Sequence, residues 1–140
     1  MRILGVDFGN KRTGLAISDE TGTVAQPVGY VVGVANDVAR VATERGAGKI
    51  VVGLPHRLDG TSSEQTETTQ KFIAALKRVI AIPVESWDER LTTAQAERVL
   101  LEGNVRRAKR KEKRDQLAAT ILLQCYLDAQ AARMGDESEK

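Results

Sequence analysis

The first 32 residues hold three extended segments with no room for a helix between them, and nothing else in the chain constrains the fold as much. Residues 2–7, RILGVD, are apolar and β-rich enough for a buried strand. Residues 14–19, GLAISD, make a second, with FGNKRT as the turn between them. A third extended segment over 24–32 contains Pro27 and Gly29, which suits the edge of a sheet. Connections this short join neighbouring strands antiparallel, because a parallel pair needs a crossover of about a dozen residues or more. The chain therefore opens as an antiparallel meander.

The hydrophobic period then changes. Asn36 or Asp37 can N-cap a helix through Arg45, with Val38, Val41 and Ala42 on one face and Gly46 as its stop. Residues 49–53, KIVVG, read as a strand buried in a parallel sheet. Thr61 with Glu64 resembles a capping box opening a helix to Ile80, whose inner face is Phe72, Ile73, Leu76, Val79 and Ile80. Residues 82–87, IPVESW, supply a fifth strand. Thr92 or Thr93 caps a helix that Gly103 ends, and Leu117, Ala118, Ile121, Leu122, Cys125 and Tyr126 line one face of a last helix. The expected fold class is α/β: a mixed five-stranded sheet, three antiparallel strands then parallel ones, flanked by helices. One domain is expected over residues 1–134, with 135–140 as a frayed tail.

Composition narrows the setting. The only cysteine, Cys125, cannot form an internal disulfide, as suits a reducing cytoplasm. No apolar run approaches the roughly 18 residues of a membrane span, and Met1-Arg2 leading into a strand is not a secretory signal. The net charge of +2 conceals an asymmetry. Residues 106–114, RRAKRKEKR, carry +6, leaving −4 for the rest of the chain. Such local basicity suits a polyanionic partner, although a solvated loop would have the same composition.

Acidic groups from three places in the chain are expected at one end of the sheet. Asp7 ends the first strand, Asp88 and Glu89 follow the fifth, and Asp115 opens the last helix. Clustered carboxylates are unfavourable unless hard cations neutralise them. Two Mg²⁺ or Mn²⁺ ions roughly 4 Å apart would do so and would organise hydrolysis of a phosphodiester. Each acid also has a plain alternative: Asp115 as an N-cap, Asp88-Glu89-Arg90 as a surface ion-pair cluster, Asp7 as a buried structural charge. Gly9 and Gly14 permit close backbone approach, and Lys11 and Arg12 at the turn tip can meet phosphates, though a charged hairpin tip would look the same. The few aromatics, Phe8, Tyr30, Phe72, Trp87 and Tyr126, leave few stacking platforms, so base recognition by stacking is not expected.

Four blocks, GVDFGNKRTGLAISD, VVGLPHRLDGTSSEQT, DERLTTAQAE and RDQLAATILLQCYLD, together resemble the YqgF family, also called RuvX, in order and spacing from Ile3 to Asp128. Its members are described as pre-16S rRNA nucleases or Holliday junction resolvases. The resemblance implies an RNase H-like fold and a metal-dependent nuclease. The family's catalytic acids fall on Asp7, Glu89 and Asp115, which would also hold the metal, with Asp88 the alternative to Glu89. Its signature glycines fall on Gly5, Gly9 and Gly14. Hydrolysis would leave a 3′-hydroxyl and a 5′-phosphate. Lys11, Arg12, Arg90, Arg106, Arg107, Lys109, Arg110, Lys111, Lys113 and Arg114 would position the strand by its phosphates, without choosing its sequence. The departure His56-Arg57 after GLP is not read as a catalytic histidine; His56 is expected to meet solvent or substrate backbone.

The expected partner is nucleic acid, with RNA favoured and branched DNA the alternative, bound by a monomer or homodimer. Two rivals stand beside this reading. DFGNKRTGLAISD also resembles the first phosphate loop of actin-like ATPases, which need two such domains where this length holds one. The other rival is a nucleic-acid-binding platform without catalysis, in which clustered carboxylates would have no use.

Overall fold

The computed structural model of the chain describes residues 1–32, 34–57, 59–91 and 110–138, with side chains of the last segment described from 117 to 133. The strands are β1 (Arg2–Asp7), β2 (Thr13–Ser18), β3 (Ala25–Val31), β4 (Ala47–Leu54) and β5 (Val84–Asp88). The helices are α1 (Ala35–Glu44), α2 (Glu64–Val79) and α3 (Arg110–Ser138), and a 3₁₀ turn, Glu89–Leu91, follows β5. The helix expected from Thr92 or Thr93 to Glu102 lies outside the described residues. The helical backbone of α3 runs on to Ser138.

The strands form one sheet in the order β3-β2-β1-β4-β5. β1 pairs antiparallel with β2, and β2 with β3; β1 pairs parallel with β4, and β4 with β5. This is the mixed sheet expected from the change of period. Successive side chains of a strand point to opposite faces. One face carries Leu4, Val6, Leu15, Ile17, Ile50 and Val52 against Val38 of α1 and Phe72, Ile73 and Leu76 of α2. The other carries Ala16 and Val51 against Ala119, Leu123, Tyr126 and Leu127 of α3. Each fully buried side chain of this kind contributes about 1.5–3 kcal/mol relative to exposure. Helices on both faces explain why the central strands read as continuous apolar runs.

Two helix starts differ in detail from expectation. α1 is preceded by Val34 rather than capped by Asn36 or Asp37: the Asp37 carboxylate, three residues on, accepts the Val34 N–H at 3.1 Å. An acid serves the exposed N–H groups of a helix start from its first turn as well as from the cap itself. At α2 the reciprocal pair is Ser63 with Thr66, not Thr61 with Glu64. Ser63 Oγ accepts from Thr66 N at 3.2 Å, and Thr66 Oγ1 accepts from Ser63 N at 2.9 Å. Thr61 is instead held by Asp59, whose Oδ1 accepts from Thr61 N at 3.0 Å and Oγ1 at 2.7 Å. Buried Thr66 also donates to the carbonyl of Pro55, tying the loop after β4 to α2.

α3 is fastened to the sheet at both of its sides. Gln124 Oε1 accepts from Ala25 N at 2.9 Å while its Nε2 donates to Thr23 O at 3.0 Å. The Tyr126 hydroxyl donates to Glu85 Oε2 at 2.7 Å and accepts from Lys49 Nζ at 3.1 Å. The same ring meets Trp87 edge to face at 5.5 Å. These hydrogen bonds fasten α3 at the end of the sheet away from Asp7, near Ile3 and Ser18, and the helix runs from there back across Gly5.

Candidate active site

In β1, the even positions Leu4 and Val6 face α1 and α2, so Ile3, Gly5 and Asp7 face α3. Phe8, the next residue, turns back to the first face and stacks on Phe72 with ring centroids 4.4 Å apart. Asp7 is half-buried and pairs in register with Gly14 of β2. On its other side β1 and β4 pair through Val6 and Val52, so the next step of the parallel register sets Gly53 beside Asp7. Asp7 therefore stands between two residues without side chains. The row extends outward to Tyr30, partner of Gly14, and to Trp87, partner of Gly53.

The two acids after β5 separate to opposite faces. Asp88 pairs with Leu54, whose side chain packs into the α1 and α2 core, so it lies on the face away from Asp7. There Arg90 binds it through both oxygens, with Nη2 2.6 Å from Oδ2 and Nε 3.1 Å from Oδ1, and Arg90 N donates to Oδ1 at 2.9 Å. His56 Nδ1 lies 3.6 Å from the same carboxylate. The hydrogen bonds from the Arg90 side chain, above all, hold the Asp88 carboxyl at about 2. The 3₁₀ turn sends Glu89 the other way. A Cβ built on Gly53 would lie 2.8 Å from Glu89 Oε1, so the carboxylate occupies the space that Gly53 leaves open beside Asp7.

α3 closes over the neighbouring row on this face, Ala16, Gly5 and Val51, because Gly5 has no side chain. A Cβ there would meet Leu123 Cβ at 2.8 Å and the Ala119 carbonyl at 3.3 Å. Asp115 is on α3 four residues before Ala119, one helical turn nearer its start. Its side chain is outside those described. Among the described residues no three His, Cys, Asp or Glu side chains gather as a metal site. Asp7 and Glu89 are two carboxylates on one face, flanked by Gly14 and Gly53, and their oxygen donors are of the chemistry that fits a hard divalent cation.

The basic groups are distributed unevenly. Lys11 is exposed at the β1–β2 turn, and Gly9 is required there because a Cβ would collide with the Arg12 carbonyl. The Arg12 guanidinium lies over the Tyr30 ring, 5.2 Å from its centroid. Arg90, expected on phosphate, is placed on Asp88 and against Gly60, where a Cβ would fall 2.9 Å from Nη1. Arg106, Arg107 and Lys109 lie outside the described residues. Arg110, Lys111, Lys113 and Arg114 are on the first turns of α3. Sequence reading missed Arg57. It lines a cleft of about 500 Å³ with Asn10, Ser63, Glu64, Gln65 and Thr68, beside the turn that follows Asp7. Only the closure of the β4–α2 loop brings it there, through Arg57 N donating to Thr61 O at 3.0 Å.

Comparison with known proteins identifies the fold and the family. Residues 1–129 match the family described as RuvX, Holliday junction resolvase. A protein of Thermoanaerobacter pseudethanolicus is 44% identical over 93% of this chain and 98% of its own length. One of Caldanaerobacter subterraneus subsp. tengcongensis is 46% identical over the same shares, 93% and 98%. Both carry the name “Putative pre-16S rRNA nuclease”. Among solved structures, Thermus thermophilus RuvC bound to a Holliday junction substrate superposes with a TM-score of 0.59 at 18% identity, covering 96% of each chain. The fowlpox virus Holliday junction resolvase gives 0.56 at 17% identity, covering 92% of this chain and 99% of its own. These two share the fold, which is RNase H-like. With its sheet order, its row of glycines around Asp7 and its match over nearly the whole length, this chain belongs to the RuvX family.

Proposed function

We propose that this nuclease hydrolyses phosphodiester bonds at the ends of precursor 16S rRNA with the help of divalent metal, and does so in the cytoplasm. The observation that carries the reading is the placement of Glu89 over Gly53, the neighbour of Asp7 in the sheet, on the face that α3 covers. Asp7, Glu89 and Asp115 would hold Mg²⁺ or Mn²⁺, two ions by the charge of the set. Bound there, divalent ions would lower the pKa of an attacking water and offset charge on the leaving oxygen.

The protein's own part is placement. Gly53 leaves room for the Glu89 carboxylate, and Gly14 places no side chain beside Asp7 on its other flank. Lys11, Arg12 and the basic residues at the start of α3 hold the strand by its backbone. Asp88, bound to Arg90, serves as an anchor for the turn that carries Glu89. RNA as the substrate is supported by the names of the curated relatives. A second reading, cleavage of branched DNA, is supported by the description of the family. Symmetric cleavage of a four-way junction would need a homodimer with two sites facing matched strands.

The test is cleavage of a labelled structured RNA carrying a 16S precursor end, beside a four-way DNA junction, in Mg²⁺, Mn²⁺ or EDTA. RNA cut only with metal, and not by Asp7→Asn, supports the proposal. Preferential cutting of the junction supports the second reading. Intact substrates throughout, with binding retained, would leave a non-catalytic binder.

A further inference from the structure

We propose that Tyr30, with Arg12 laid across its ring, is a stacking subsite for an unpaired base of the substrate strand, next to the scissile phosphate. The inference rests on the nuclease reading above and adds to it a contact to the nucleobase. It runs against the expectation from composition, which found too few aromatics for stacking.

The position of Tyr30 is set by a bulge. β2 and β3 pair Ala16 with Pro27 but Leu15 with Gly29, so Val28 is an extra residue. Without it, Tyr30 would pair with Thr13 and face α1 and α2. A slip of one residue carries a side chain to the other face of a sheet. With it, Tyr30 pairs with Gly14 and shares the face of Asp7. Gly29 lies within this kink with φ of +134°, a conformation that favours glycine.

Three features make the ring available to a base. Tyr30 is 44% exposed, on the edge strand of the sheet. Gly14, between it and Asp7, interposes no side chain. Antiparallel neighbours are about 4.5–5.5 Å apart, so the Tyr30 backbone is about 10 Å from that of Asp7, within reach of a nearby nucleotide. The Arg12 guanidinium, 5.2 Å from the ring centroid, adds a planar cation to the platform. A base that stacks on an aromatic ring can gain further from an arginine alongside it, and such stacking is tolerant of sequence.

The experiment uses the full chain in EDTA with a short single-stranded RNA containing one 2-aminopurine, whose fluorescence falls on stacking. Wild type and Tyr30→Phe should bind with quenching. Tyr30→Ala should bind about tenfold more weakly and without the quench. Tyr30→Thr, which keeps a strand-forming residue, should do the same and guards against misfolding of the alanine variant. Unchanged affinity and quenching in both variants, on a protein that cleaves RNA when metal is restored, would overturn the subsite and leave the nuclease reading standing. Wild type that binds with quenching yet never cleaves would instead sink the nuclease reading.

Discussion

Arg90 grips Asp88 through both carboxylate oxygens, at 2.6 and 3.1 Å, while Glu89 between them turns to the opposite face of the sheet. Charge-assisted contacts of this geometry are stronger than neutral hydrogen bonds and fix orientation. Two adjacent acids thus have different work. One is neutralised by a partner two residues away, and the other is set beside Asp7.

Exchange of the two acids for their amides should therefore separate them. Glu89→Gln is expected to reduce metal-dependent cleavage by about a hundredfold or more, the scale of losing a ligand to charge-stabilising metal. Asp88→Asn is expected to cost about 10- to 100-fold, acting through the placement of Glu89. Single-turnover rates on the RNA substrate at saturating Mn²⁺ check this. Equal losses would show that both acids act directly.

Gly53 and Gly5 should fail in different ways when changed to alanine. At Gly53 the new methyl meets the ends of two side chains, Glu89 Oε1 at 2.8 Å and Leu122 Cδ2 at 3.1 Å, so Glu89 moves and cleavage falls. The melting temperature drops less than in the Gly5 variant because neither contact is backbone or Cβ. At Gly5 it meets Leu123 Cβ at 2.8 Å and the Ala119 backbone at 3.3 Å, neither of which yields without shifting α3. Overpacking there should cost about 1–3 kcal/mol of stability. Calorimetry beside the cleavage assay distinguishes the two.

The Asp88–Arg90 pair should also be visible in the acid limb of stability. The folded-state pKa of Asp88 lies at about 2, below its ordinary 3.8, so the pair stabilises the fold above the higher value. That contribution is lost as pH falls from 3.8 towards 2. Asp19, lowered to about 2 by hydrogen bonds from Thr21, Thr23 and Val24, titrates in the same window. The measurement is therefore the difference between wild type and Asp88→Asn. It should be largest above pH 4 and shrink on acidification.

RNA affinity should fall steeply with salt. If all seven cations of residues 106–114 met duplex phosphates, log K against log salt would have a slope of about −6, and fewer contacts are expected. Replacing Arg106, Arg107 or Lys109 with alanine should reduce the slope by about one unit for each residue that contacts phosphate. An unchanged slope in the triple variant would remove the basic run from the interface.

Much of this was local enough to read in the chain itself. Strand and helix periods, and connections too short for crossovers, determined the antiparallel meander and the parallel strands after it. The apolar run ending in Asp7, flanked by Gly5 and Gly9, marked the first acid because burial of a carboxylate is a local conflict that a function must resolve. Arg106 to Arg114 stood out by charge alone.

What the tertiary structure decided depends on register and on partners distant in sequence. Asp88 and Glu89 are equivalent acids until Leu54 and Gly53 give each a face, and a one-residue uncertainty at a strand end reverses that assignment. Arg90 looks like a phosphate ligand until its fork meets Asp88. Tyr30 is an ordinary edge residue until the extra Val28 turns it to the side of Asp7. Periodicity determines which residues form an element. Only the packing of elements against one another determines which side chains share a space, and the chemistry proposed for this protein depends on that shared space.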